Sequence, residues 1–165
     1  MSTKNDYSAE EWKAIMGAPV AAGLYMTLAD ASGPVGIAKE AMAVGKAITE
    51  SAATDAPEIV KALAEGVRTA GGRPELPDVP KTDRAQMKVA LISALQNAIG
   101  AVAAKSPAEA EAFKTWLVSV ATRVAHASKE GGFLGIGGTE VSTEEQEALK
   151  QLASALGTAG PTIPT

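Results

Sequence analysis

Residues 106–129 read SPAEAEAFKTWLVSVATRVAHASK. Ser106 and Glu109 have the spacing of a capping box, in which a hydroxyl accepts from the amide three residues on and the carboxylate there reaches back. Pro107 falls at the first helical position, where its missing N–H would have had no intrahelical partner. Phe113, Trp116, Leu117, Val120 and Val124 then recur at steps of three and four, while Lys114, Ser119, Thr122 and Arg123 mostly lie elsewhere. That period gathers the apolar set on one face. The stretch is an amphipathic helix that must bury one side against its neighbours, and its aromatic pair belongs to the core.

The same start signal occurs at Ser8 with Glu11, Asp55 with Glu58 and Ser142 with Glu145. With the glycine and proline breakers, these starts predict six helices over about 8–30, 35–53, 56–70, 82–105, 107–129 and 142–156. Residues 71–81 (GGRPELPDVPK) carry three prolines and read as an extended crossing. They divide a single all-α domain, 1–156, into halves 8–70 and 82–156. Each half carries a glycine-bearing break, although the breaks fall at different places, which weakens the case for an internal repeat. Residues 157–165 (GTAGPTIPT) have no periodicity and are expected to form a flexible tail. Roughly a fifth of the chain is alanine, the best helix former, and Val, Ile, Tyr and Phe are sparse. The fold class is therefore all-α, a compact bundle of about six helices. Small side chains at the seams should let those helices approach closely.

Composition excludes several chemistries. There is no cysteine, so disulfides, thiolate catalysis and zinc fingers fall away, and a cytoplasmic location is expected. The first residues, MSTKNDYSAEEW, have neither the basic nor the apolar region of a secretory signal. The formal net charge is -4, the basic residues are dispersed and only 4% of residues are aromatic, which argues against a nucleic-acid surface. Residues 14–29 and 89–104 are nearly free of charge but shorter than the roughly 20 apolar residues of a spanning helix. Both read as central core helices, not transmembrane ones, and Pro19 should kink the first.

The least ordinary stretch is 131–138, GGFLGIGG. Connections rarely carry Phe133, Leu134 and Ile136 unless these residues bury against something, so they are candidate partner-binding residues. The insert lacks the Lys-Ser/Thr ending of a phosphate loop and follows no strand. Its composition also suits peripheral membrane contact. His126 is the only histidine, which excludes a multi-histidine metal site and leaves one candidate base. Its spacing from Glu130 suits an ion pair near a helix end. Carboxylates gather beside the two glycine breaks, and Asp30, Glu40, Glu130 and Glu145 form a candidate site for a divalent cation such as calcium. Glu144 and Glu145 are also explained by helix capping.

Glu130-Gly131 and the run Val141-Ser142-Thr143-Glu144-Glu145-Gln146-Glu147-Ala148-Leu149 resemble a pattern of the TerB-like, tellurite-resistance-type proteins. In that pattern an acidic-Gly pair ends one helix, and a Val or Ile with a Glu four residues later opens the next. The segment from Ala29 through Val35, with Glu40 beyond, looks like a distorted version of the same turn. The resemblance implies an all-helical, acidic bacterial protein with metal-binding carboxylates, acting in stress responses or as a membrane-associated interaction module. It covers about a fifth of the chain, and the departures are specific. Asp-Gly is intact in neither turn, two residues are inserted after Asp30, and about nine residues separate Gly131 from Val141. The preferred expectation is a non-enzymatic helical module that binds another protein or itself through Phe133, Leu134 and Ile136, without a cofactor. The alternatives are a divalent-cation-binding protein and a carrier that holds a small apolar ligand between its alanine-rich helices.

Overall fold

The computed structural model describes residues 3–29, 34–52, 56–69, 83–129 and 141–159. A short 3-10 turn, Lys4–Asp6, precedes six α-helices: α1 (Ala9–Thr27), α2 (Pro34–Ala52), α3 (Glu58–Thr69), α4 (Arg84–Lys105), α5 (Pro107–Lys129) and α6 (Thr143–Leu156). The described residues contain no strand. The chain is an all-α bundle, as its periodicity predicts, and each helix starts within two residues of its expected position.

Two of the capping boxes form as the spacing dictates. The Ser8 hydroxyl accepts from the Glu11 amide at 3.1 Å while Glu11 accepts from the Ser8 amide at 2.7 Å. Ser142 and Glu145 repeat this at the head of α6, at 3.2 and 2.8 Å. Each box pairs two amides that the helix itself cannot satisfy. Glu109 differs from the expectation. Its amide bonds to the Ser106 carbonyl at 2.9 Å, and its carboxylate accepts from the Ile59 amide at 3.0 Å. Glu109 therefore caps the first turn of α3 from another helix, a tertiary use that local spacing cannot reveal. Asp55 of the remaining box lies outside the described residues.

One apolar core runs through all six helices. Ile15 and Ala21 of α1, Ile48 of α2, Leu63 of α3, Leu95 of α4, Phe113 and Leu117 of α5 and Leu149 of α6 are fully shielded from water. α1 packs most extensively against α4 and next against α5, while α2 packs against α5. The stretches before and after residues 71–81 are thus interleaved across one core. Phe113 and Trp116 stack with ring centroids 5.9 Å apart. The Trp116 indole N–H donates to the Ser51 hydroxyl at 2.7 Å, and that hydroxyl donates to the Ala47 carbonyl at 2.7 Å, so the buried polar groups between α2 and α5 are paired.

The expected small-residue seams are present at two glycines. A Cβ on Gly23 would come within 2.5 Å of the Val44 side chain, and one on Gly66 within 2.9 Å of the Met16 sulfur. α1 therefore reaches both α2 and α3 over glycine. α1 continues as one helix across Pro19. α4 is not the central core helix expected of residues 89–104. It buries a single stripe, Leu91, Leu95, Ala98, Ile99 and Val102, and leaves Val89 70% exposed. Among the described helices it alone is long and apolar enough to cross a membrane, with 28% of that window buried.

Candidate functional site

Beyond the α1 seam, α2 and α5 part along an open cleft of about 590 Å³. Its apolar lining is Ala43 and Ala47 from α2 and Ala127 from α5, with Met42 at the rim, 75% exposed. Among the described lining residues alanine faces alanine between the two helices, and side chains that small leave the gap unfilled. Ligand sites of 300–1,000 Å³ with a mostly apolar lining and a few fixed polar groups are the common form for small molecules, about the scale found here.

The polar groups of the cleft are helix-spaced. Lys46 and Glu50 lie one turn apart on α2, and Arg123 and His126 lie one turn apart on α5. Glu50 bridges both cations. Its Oε2 accepts from Arg123 Nη1 at 2.6 Å, and its Oε1 lies 3.6 Å from Lys46 Nζ. Glu50 and Arg123 are about half exposed, at 46% and 49%, so the pair is accessible to water and to a ligand. Such a pair contributes only about 0–1 kcal/mol to folding. Fixing a charged cluster in a cleft is its larger effect. At neutral pH, Lys46, Arg123 and Glu50 sum to one positive charge in a chain whose net charge is -4.

Of the candidate residues read from sequence, His126 lines this cleft. Glu145 is 1% exposed, and its Oε2 accepts from the Ser142 amide and hydroxyl, both at 2.8 Å, so its described bonds are those of the helix cap. Phe133, Leu134 and Ile136, together with Asp30 and Glu130, lie outside the described residues, as does the side chain of Glu40. Among the described residues no three His, Asp or Glu side chains converge as a metal site would need. Sequence reading missed Met42, Lys46, Glu50 and Arg123 as a group. The signal available was an i, i+4 Lys-Glu pair on one helix and an i, i+3 Arg-His pair on another. That the two pairs face each other follows only from the pairing of α2 with α5.

No protein-family model, curated protein or solved structure matches the chain, and the TerB-like resemblance rests on its quoted residues alone.

Proposed function

We propose that this protein is a non-enzymatic interaction module that binds another protein, or a second copy of itself, at the C-terminal end of α5 and through Phe133, Leu134 and Ile136. The supporting observation is where apolar groups are left over. The core of the described helices is closed, yet Met42 stands 75% exposed on the rim of a cleft that reaches His126 and Ala127. Ala127 is six residues before Phe133 in the chain. Apolar surface left against water marks contact sites, and the flexible thioether of methionine adapts to a partner's shape. The described carboxylates Glu11, Glu109 and Glu145 are engaged in helix caps, and Glu50 in ion pairs, which fits a scaffold better than acid-base chemistry. The TerB-like resemblance supports a stress-associated setting, and the absence of cysteine fits a reducing, cytoplasmic one.

The test replaces Phe133, Leu134 and Ile136 with Ser together. Partner capture from extract, scored by quantitative mass spectrometry against wild type, is lost in the variant, and so is any self-association seen by sedimentation velocity. Far-ultraviolet circular dichroism stays unchanged. An unaltered capture profile and sedimentation coefficient would overturn the reading. So would loss of helical signal, because the three residues would then be part of the core.

A further inference from the structure

The geometry points to a small-molecule site in the α2–α5 cleft, whose ligand is an amphiphilic monoanion: a carboxylate carried on a hydrocarbon body. This goes beyond the partner-binding reading and does not depend on it. The cleft has two chemically distinct parts. Ala43, Ala47 and Ala127 with the Met42 thioether supply an apolar bed, and Lys46, Arg123 and His126 supply donors along its side. A wholly apolar ligand would shield those partly exposed donors from water without offering them a partner, which is unfavourable for groups that need hydrogen bonds. A ligand with one anionic head and one apolar body suits both parts.

Charge decides the sign and number. Among the described lining residues two cations face a single carboxylate, a net positive charge of one, which a monocarboxylate neutralises and a phosphate dianion would exceed. Glu50 takes one hydrogen bond from Arg123, through Nη1, and a guanidinium has five donors. Glu50 thus acts as an internal carboxylate that orients Arg123 and Lys46 in advance and competes with the incoming head group. His126 forms no hydrogen bond or ion pair among the described residues, and its ring extends the donor row one turn further along α5. Ala43 and Ala47 lie one turn apart on α2 and Ala127 lies on α5, so both helices contribute to the apolar bed.

The experiment titrates the full chain with decanoate, decanol and decyltrimethylammonium below their aggregation thresholds. It reads heat by calorimetry and amide shifts by nitrogen-15 correlation spectra. Decanoate binds saturably and shifts the amides of Lys46, Arg123, His126 and Ala127, decanol binds at least about tenfold more weakly, and the cation shows no site. Arg123→Gln with Lys46→Gln weakens decanoate by about tenfold or more, whereas Glu50→Gln, which removes the competing carboxylate, tightens it. Ala43→Phe fills the apolar bed with the charged groups intact and abolishes binding. Circular dichroism confirms the fold of each variant, all of them at partly exposed positions. Equal binding of the three amphiphiles overturns the proposal, as does an unchanged affinity in the double Gln variant. Shifts confined to the exposed face of α4 around Val89, or an acidic peptide that saturates the same amides while decanoate does not, overturn it equally.

Discussion

α2 presents small-residue surroundings on two sides, and they come out opposite. Toward α1, the missing Cβ of Gly23 is matched by the branched side chain of Val44, whose Cγ2 would lie 2.5 Å from an added methyl group. Toward α5, Ala43 and Ala47 meet Ala127, and a cleft of about 590 Å³ stays open. Small residues alone therefore predict neither tight packing nor a cavity. The outcome depends on whether the facing helix supplies a large group where the first supplies a small one. The closed side holds the fold together, and the open side is where we propose that a ligand binds.

The largest effect is expected from opening the closed core that both sides share. Phe113→Ala removes a ring that is wholly buried beside Trp116, and urea unfolding should show a loss of about 3–5 kcal/mol, the range for large-to-small core changes. A loss below about 1 kcal/mol would mean that the core is loosely filled there as well.

Gly23→Ala tests the seam itself. The methyl gains up to about 1 kcal/mol of helix propensity but must displace Val44, so a net loss of about 1–2 kcal/mol is expected. Adding Val44→Ala to the same chain makes room for the methyl and should recover part of that loss, giving a coupling of about 1 kcal/mol in the double-mutant cycle. Simple additivity would show that the two residues do not share the contact. On the open side, Ala43→Leu adds bulk at a residue that lines the cleft and should change the unfolding free energy by no more than about 0.5 kcal/mol.

The smallest effect concerns pH. Tyr25, two residues beyond Gly23, is buried, and that burial, aided by the charge of Glu147, raises its phenol above the ordinary value of 10.0. The unfolded chain then loses this proton first. Its contribution to stability is complete below pH 10.0 and declines as pH rises from there through the folded value. Tyr25→Phe should flatten that alkaline decline, and absorbance near the tyrosinate band should show one tyrosine ionising late in the native protein. An identical alkaline profile for wild type and variant would remove Tyr25 from the account.

The contrast also explains what could be read from the chain. Helix positions were legible because caps and periodicity are local: Ser8, Ser142 and the step from Phe113 to Val124 announce α1, α6 and α5. The expectation of close helix approach was legible from composition, but the identity of the seams was not, since Gly23 and Gly66 differ from Gly45 and Gly100 in what lies opposite. The exposed side of α4 was misread for a related reason. A run without charge says that burial is permitted, not that neighbours are present to provide it. The cleft was anticipated only as a general consequence of alanine-rich helices, while its charged side needs the register between α2 and α5. His126 stands out in the sequence by its scarcity, and Arg123 only as part of a polar helix face.

The indole of Trp116 has one more consequence. Its N–H is tied to the Ser51 hydroxyl, which is tied in turn to the carbonyl of Ala47 on the wall of the cleft. Anything that pries the two walls apart must stretch that chain and alter the polarity around the ring. With Trp12 replaced by Phe, the protein would hold a single emitter, and its fluorescence colour would serve as a built-in optical gauge of how far the walls stand from each other.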